Sequence, residues 1–355
     1  MVRVPRVLIV GGYGVFGRLL AAELLPTTGA HLVIAGRDPT KAEAARRDLG
    51  PRSSGRVEAM RVDLARPGEL RKAAEGCLAV VCAAGPFQAL PPGLVDEALE
   101  AGAHWVDIAD PTGWVLGILG DPELDERART AGVAVGTGLS TLPALSGVLA
   151  RSLIEQLPRA GEAKVVLSIG NRNPKGPAAI ASALMIGMRD RSRVKTPFGP
   201  RLAYRIGAPD ERLLADLQLE TTCWVALESP VARRVAMLAR SPSVRRSSDE
   251  VMRRARLLSR LSSFWSLGTS GGCVQVELRD EHGGESAAAF VGPDQRLAIL
   301  PAAIVVQHLV EGSTQLSGVV PPTDWMSVAA WVAELRRRGI RVLGRGIAKD
   351  RRPPR

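Results

Sequence analysis

The chain has 355 residues, 46% of them hydrophobic, which is enough for two domains that each bury a core without a metal or a disulfide. Its net charge of +11 comes mostly from arginine, but with 4% aromatic residues and no nucleic-acid-binding motif we expect no nucleic-acid partner. Four scattered cysteines argue against a disulfide framework and a zinc site, and glycine and proline interrupt the uncharged windows 77–95 and 132–150, so we expect a cytoplasmic protein without an integral membrane segment.

The first third of the chain alternates short strand-like runs with helical stretches. The predicted strands are residues 6–10, 31–35, 57–62, 78–82, 105–108 and 133–135, and the predicted helices are residues 17–25, 40–49, 67–76, 92–101 and 122–131. This alternation is typical of a parallel sheet wound by helices. It predicts an α/β fold with an N-terminal Rossmann-type, doubly wound sheet over residues 1–145.

The regular alternation of strand-like and helical segments ends after the first predicted domain, at residue 145. Residues 163–169 are strand-like, residues 273–279 and 285–291 predict a hairpin, and residues 249–263 predict an amphipathic helix rich in arginine. We therefore expect a second, α+β domain over residues 146–310 for substrate binding and dimerisation. A C-terminal helical segment, 311–345, is predicted to return to the first domain, followed by a basic tail at 346–355.

A glycine-rich loop follows the first predicted strand. Gly12, Gly14 and Gly17 form G-x-G-x-x-G, with Tyr13, Val15 and Phe16 between them, directly after a strand and at the start of a helix. The glycines allow a tight turn, close approach of the backbone to a pyrophosphate and close helix packing, while the helix N-terminus offers free N–H groups to phosphates. In this context the motif predicts dinucleotide binding.

Arg37 follows the second strand, at the position where NAD-binding proteins usually carry an acid. A guanidinium there favours the 2′-phosphate of NADP(H) through charge-assisted hydrogen bonds. Lys41 on the next helix either adds a second positive charge or is a solvated helix residue. Asp38, beside the site, weakens the preference for NADP(H).

Two further segments are candidates for cofactor contacts. Asp63 follows the third strand and either accepts from the adenine amino group or caps a turn. Ala84, Gly85 and Pro86 follow the fourth strand, where small residues let the backbone approach the nicotinamide ribose.

Four stretches resemble the saccharopine dehydrogenase-like reductases, many of which depend on NADP. They are residues 11–17, 35–38, 81–87 and 98–110. Residues 310–322 resemble the family more weakly. The resemblance implies that the glycine loop and Arg37 bind the NADP phosphates, that Gly85 and Pro86 line the nicotinamide ribose, and that Asp107 or Asp110 borders the active cleft. Residues 136–143 resemble the family's segment that faces the nicotinamide.

The catalytic residues remain unknown at this stage. The chain lacks the Tyr-x-x-x-Lys dyad of short-chain dehydrogenases, and its four isolated histidines predict no metal site. Hydride transfer needs chiefly an aligned acceptor beside the nicotinamide, so a missing dyad is tolerable. For a substrate carboxylate, Arg172 between two asparagines is the first candidate, followed by Arg189, Lys195 and Tyr204.

Three functional hypotheses remain open. The first is an NADP(H)-dependent reductase of a C=N bond in an amino-acid-like or secondary metabolite. The second is an enoyl (C=C) reductase of lipid or polyketide intermediates, with a free or carrier-bound small-molecule substrate. The third is a non-catalytic NADP-sensing regulator, which a second domain of about 200 residues disfavours. We expect a homodimer.

Overall fold

The computed structural model describes residues 4–50, 55–186, 188–228, 248–262 and 268–344. The predicted basic tail at 346–355 lies outside these residues. Within the described chain, no helix is both long and apolar enough to cross a membrane.

The first part of the chain builds six strands and six helices. The strands are β1 (Arg6–Val10), β2 (His31–Gly36), β3 (Val57–Arg61), β4 (Ala79–Cys82), β5 (His104–Asp107) and β6 (Ala134–Gly136). The helices are α1 (Val15–Thr27), α2 (Pro39–Leu49), α3 (Glu69–Ala74), α4 (Leu94–Glu100), α5 (Thr112–Leu119) and α6 (Pro122–Thr130). Helices α2 and α6 start in the same way, with an aspartate that accepts from a backbone N–H of the first turn and a proline directly after it.

The second part of the chain adds four helices and six strands. They are α7 (Ser146–Ile154), β7 (Ala160–Ile169), α8 (Pro177–Ile186), β8 (Arg191–Thr196), β9 (Gly199–Ile206), α9 (Asp210–Leu213), β10 (Glu220–Leu227), α10 (Ser248–Ser262), β11 (Gly272–Asp280) and β12 (Glu285–Gly292). The remaining elements are α11 (Leu300–Glu311), β13 (Gly318–Val320), α12 (Val328–Arg337) and β14 (Arg341–Gly344).

The first sheet is parallel throughout, in the order β13-β6-β5-β4-β1-β2-β3. Its central strands are continuous apolar runs because helices cover both faces, as parallel sheets require. Strand order reverses between β1 and β4, and this reversal opens a crevice at the carboxyl ends of those strands, where nucleotides bind in such folds. The predicted Rossmann-type sheet is confirmed.

The second sheet is mixed, in the order β14-β12-β11-β7-β10-β9-β8. Strands β7 and β10 run parallel and the other pairs are antiparallel. The predicted hairpin is present as β11 and β12. Helices α8 and α10 pack against each other, with Val251 and Ala255 buried against Ala181.

The last part of the chain contributes to both sheets. Helix α11 packs on α1 and runs across the predicted boundary at residue 310. Strand β13 then extends the parallel sheet beside β6, and β14 extends the mixed sheet beside β12. Helix α12, which the sequence predicts as the element returning to the first domain, packs against α7 and β14. Arg338 just after it reaches Glu23 of α1 at 3.2 Å.

Candidate active site

The glycine loop joins β1 to α1, and its backbone is packed so closely that Gly11, Gly12 and Gly17 have no room for a Cβ atom. A Cβ on Gly12 would lie 2.8 Å from the Ile9 carbonyl oxygen, and a Cβ on Gly17 would overlap the Gly11 carbonyl. Gly11 has a φ of +74°, and a Cβ there would lie 2.6 Å from the Ala84 nitrogen. The loop therefore packs directly on the backbone that follows β4, and both segments border the same crevice.

The start of α1 is open toward this crevice. Its N-cap, Gly14, provides no side-chain cap, and the first turn contains no acidic residue. The first N–H groups of a helix have no partner within the helix, and together with the helix dipole they attract an anion. This uncapped helix end, held by glycines that exclude any Cβ, fits the pyrophosphate of a dinucleotide.

The end of β2 leaves one guanidinium unpaired. The ring of Tyr13 lies across Gly36, where a Cβ would overlap it, and the Tyr13 hydroxyl accepts from the Asp38 N–H at 3.4 Å. Arg37 is exposed and, within the described residues, has no hydrogen bond or ion pair. Other arginines near the loop are paired, including Arg18 with Asp48.

Asp38 is occupied by its own helix. Its carboxylate accepts from the Lys41 N–H at 3.1 Å and pairs with the Lys41 ammonium at 2.9 Å. These contacts lower the pKa of Asp38 and raise that of Lys41, and the positive charge of Arg256 on α10 opposes the rise. Lys41 is therefore not a free cation, whereas Arg37 is, and Arg256 brings a further positive charge toward the same end of the crevice.

Asp63 and the turn at 84–86 differ in their surroundings. The Asp63 carboxylate accepts from the Ala65 N–H at 3.3 Å and pairs with Arg61 and Arg66 at 3.7 and 3.8 Å, so it caps its own turn. Gly85 and Pro86, joined by a cis peptide bond, line a large cavity together with Phe16 of α1.

This cavity, of about 550 Å³, lies between the carboxyl edge of the parallel sheet and the mixed sheet. Its volume is in the range of small-molecule sites. One end is formed by residues 85–87, Asp110 and residues 140–142, and the other by β7, β9, β10 and helix α8. Gly85 approaches α8 so closely that a Cβ on it would lie 3.4 Å from the Ala178 Cβ.

Asp110 and Ser182 form a hydrogen-bonded pair that lines the cavity. The Ser182 hydroxyl donates to Asp110 Oδ1 at 3.1 Å, and the Gln88 amide donates to the same hydroxyl at 3.3 Å. Burial raises the pKa of Asp110, and the hydrogen bond from Ser182 opposes this rise. Ser182 lies one helical turn beyond Ala178, so this pair is adjacent to the Gly85 turn.

Asp107, the other acid predicted to border the cleft, lies in a buried hydrogen-bond network. It is fully buried and accepts from the indole N–H groups of Trp105 and Trp114, the Thr137 hydroxyl, and the N–H groups of Ala109 and Gly138, at 2.9 to 3.0 Å. Five donors leave this carboxylate no capacity for a substrate, and it does not line the cavity. Asp107 instead ties β5 to the segment after β6.

The structure places the predicted substrate residues Arg172 and Tyr204 outside the cavity wall. Arg172 is exposed outside the cavity, although its neighbours Asn171 and Asn173 line it. Tyr204 is 1% exposed and packs in an apolar cluster with Val225 on the mixed sheet. The weaker candidates Arg189 and Lys195 are exposed surface residues.

Sequence reasoning missed helix α8 and its Ser182. The only signal was an uncharged stretch after Gly176, PAAIASALMI, which has no clear apolar stripe. An apolar helix without a polar face is typical of an element covered on several sides, and here α10 and the cavity cover it.

Comparisons with known proteins agree with this geometry. Residues 6–86 match the model of the KR domain, an NAD(P)-binding Rossmann-type domain. The apo saccharopine dehydrogenase (L-Glu forming) from Saccharomyces cerevisiae superposes with a TM-score of 0.61 at 13% identity, over 96% of this chain and 99% of that one. The chain has the saccharopine dehydrogenase fold.

A second solved structure is similar over a smaller part. A short-chain type dehydrogenase/reductase from Mycobacterium ulcerans is 18% identical, with a TM-score of 0.29, over 37% of this chain and 66% of that one. No curated protein sequence matches the chain. The match to the KR domain, together with the glycine loop, supports an NAD(P)-dependent oxidoreductase.

Proposed function

We propose that this protein is an NADP(H)-dependent reductase of a polarised double bond, C=N or C=C. The observation that carries the proposal is Arg37, an unpaired guanidinium at the end of β2, beside a glycine loop that admits a pyrophosphate. A guanidinium binds a 2′-phosphate through charge-assisted, often bidentate hydrogen bonds. The acid next to it, Asp38, is already paired with Lys41 and so offers little to the ribose hydroxyls of NAD.

The chain's own residues have distinct tasks in this proposal. Gly14 and the start of α1 hold the pyrophosphate, Arg37 holds the 2′-phosphate, and Gly85 and Pro86 border the nicotinamide. The bound cofactor supplies a hydride. Asp110, whose pKa is raised by burial, supplies the proton that balances hydride addition, and Ser182 orients its carboxyl group. Burial keeps the acid protonated at a higher pH than an exposed aspartate.

The cavity bears on the alternatives that the sequence left open. A regulator that only senses NADP has no need of a cavity of about 550 Å³ next to its nicotinamide site. An amino-acid-like imine needs a free cation at its carboxylate. Neither Arg172 nor Tyr204 lies in the cavity wall, and Lys175, which does, is bound to two backbone carbonyl oxygens. The predominantly apolar wall therefore favours reduction of a C=C bond over reduction of an amino-acid imine.

The cofactor is tested by titrating the purified protein with NADPH and NADH while following nicotinamide fluorescence. We expect tighter binding of NADPH, and in Arg37→Ala a loss of about 10- to 100-fold for NADPH alone, as for a hydrogen-bonded charge pair. Arg47→Ala, an exposed arginine of α2 that pairs with Glu43, is the matched control and should bind as the wild type does. Gly14→Asp should weaken both cofactors. Equal binding of NADPH and NADH by the wild type would overturn the preference, and binding of neither would overturn the proposed function.

A further inference from the structure

The cavity wall opposite the nicotinamide site is made of aliphatic side chains. Leu167 and Ile169 of β7, Val225 and Leu227 of β10, and Ile180 of α8 line it. This apolar wall continues from the turn at Gly85 along α8 to the mixed sheet. Apolar walls of this extent bind a ligand through burial of its own apolar surface.

Four charged side chains line the cavity among the described residues: Asp110, Lys175, Glu228 and Asp294. The ammonium of Lys175 donates to the carbonyl oxygens of Asn171 and Asn173 at 2.5 and 3.4 Å, and burial lowers its pKa. Asp294 caps the turn that follows it, accepting from the Arg296 N–H at 2.8 Å, and pairs with the Arg296 side chain at 3.2 Å. Lys175 and Asp294 are therefore both engaged in hydrogen bonds to backbone groups of the protein.

Glu228 is held by the segments around it. It accepts from the N–H groups of Asn171 and Thr269 at 2.8 and 3.0 Å, and Arg201 lies 3.4 Å away. That arginine is in turn bound to the Ser168 hydroxyl at 2.6 Å and lies over the ring of Phe198. Arg201, which does not itself line the cavity, is therefore committed to the framework of the site.

These contacts leave no free cation for a carboxylate among the described residues that line the cavity, because Lys175 is bound to two backbone carbonyl oxygens. A carboxylate buried here would have to displace those contacts or lose its hydration, at a cost that apolar walls do not offset. An uncharged chain meets no such cost and gains from each methylene that leaves water. Of the four charged side chains, Asp110 at the end of the cavity near Gly85 can still form a hydrogen bond with a substrate.

We infer that the substrate of this site is an uncharged molecule with a long aliphatic chain, whose reducible bond lies near Asp110 and whose chain extends along α8 to the mixed sheet. The inference rests on the proposed function and adds its substrate class. It departs from the amino-acid-like substrate expected from the sequence, and it agrees with the alternative of a lipid-like or polyketide substrate.

The test uses uncharged saturated acyl thioesters of N-acetylcysteamine, from butanoyl to dodecanoyl, titrated calorimetrically with and without NADP⁺. Affinity should rise about fourfold per added methylene until the cavity is filled, with a negative heat-capacity change. Affinity independent of chain length, or binding of free amino acids instead of thioesters, would overturn the inference.

A variant whose cavity is filled by a larger side chain tests where the acyl chain binds. Ala183 lies on an exposed part of α8 and lines the cavity, so Ala183→Trp should remove the dependence on chain length by occupying the space. Ala329→Trp, at an exposed position of α12 outside the cavity, should leave it unchanged. A chain-length dependence that persists in Ala183→Trp would place the acyl chain elsewhere and overturn the inference.

The two proposals fail separately. NADPH titration of both tryptophan variants should match the wild type, because neither residue borders the glycine loop. Affinity of the wild type that does not depend on chain length, with intact NADPH binding, would contradict the substrate class alone. If NADPH does not bind to the wild type, the proposed function fails, and the titrations without cofactor still test the cavity.

Discussion

Ser182 of helix α8 donates a hydrogen bond of 3.1 Å to Asp110, which follows strand β5. This contact joins the second part of the chain to the carboxyl edge of the parallel sheet. A residue 72 positions further along thus determines the environment of an acid that follows a Rossmann-type strand. The proton donor of the proposed reaction is assembled from both parts of the fold.

Replacing Asp110 should impair the chemical step and leave cofactor binding intact. Asp110→Asn keeps the shape and removes the acidic proton, so we expect kcat for the reduction to fall about 10²- to 10³-fold, the usual contribution of a general acid. NADPH affinity, measured by nicotinamide fluorescence, should not change. An unaltered kcat in this variant would mean that water or another group supplies the proton.

The pH profile separates the role of Ser182 from that of Asp110. The protonated form of Asp110 is required, so activity should fall as pH rises through its raised pKa. The hydrogen bond from Ser182 stabilises the carboxylate, and Ser182→Ala should therefore raise the pKa of Asp110 further. The alkaline limb of the kcat profile should move to higher pH. A purely structural role for Ser182 would leave the position of that limb unchanged.

Arg256 should contribute to NADPH affinity from the opposite side of the crevice. The positive charge of Arg256 acts to lower the pKa of Lys41, which lies next to the proposed 2′-phosphate site. Arg256 has no ion pair among the described residues. For an exposed charge, Arg256→Ala should weaken NADPH binding about two- to fivefold, more at low salt, without affecting NADH. Arg253→Ala, on the same helix, is the control. Equal losses for both arginines would indicate a diffuse field instead of a local contact.

Asp107 should matter for stability rather than for substrate. Asp107→Asn replaces one acceptor oxygen with an NH₂ group that faces buried donors, and the cost of breaking such a network is about 3–5 kcal/mol. Urea denaturation measures this loss. Asp96→Asn, at an exposed ion pair with Arg127, should cost less than about 1 kcal/mol. Comparable losses in the two variants would contradict the structural role of Asp107.

Asp210 should make stability depend on pH. It is 1% exposed, one oxygen accepts from the Ser146 hydroxyl, and the other has no hydrogen-bond partner in the described chain. Burial raises its pKa to about 6. An acid with a raised pKa stabilises the folded state fully below its unfolded pKa, and this contribution is lost as pH rises toward 6.

The neutral variant Asp210→Asn isolates this effect. It should be more stable than the wild type at pH 8, by at most about 3 kcal/mol, and close to the wild type near pH 4. Urea denaturation at both pH values provides the comparison. A constant difference between the two proteins across this range would show that Asp210 does not titrate there.

The strands and the nucleotide loop were predictable because local rules determine them. Strands β1, β2 and β4 are mainly apolar runs, and all six strands of the predicted sheet appear within about two residues of their expected ends. The glycine spacing belongs to one strand-turn-helix unit and needs no distant contact. Strand β13 was not predicted, because its three residues carry no signal without the neighbouring β6.

The cavity residues were less predictable because long-range packing selects them. Asp107 is the last residue of β5 and Asp110 lies three residues beyond it. Only the two indoles and the segment after β6 show that the hydrogen-bonding capacity of Asp107 is filled. Arg172 was chosen for its charge, but the backbone directs the two asparagines inward and leaves the arginine outside. The availability of Arg37 likewise depends on Asp38 being bound to Lys41, which sequence reasoning left open.

The parallel sheet is completed by a strand from the end of the chain. Gly318 pairs with Ala134, so the edge beside β6 stays without this partner during synthesis until residues 318–320 have left the ribosome. Pairings this distant in sequence slow folding and expose apolar edges meanwhile. The parallel sheet is consequently completed only after the strands β7 to β12 of the mixed sheet have been synthesised. A nonsense mutation near residue 315 would leave its sheet one strand short.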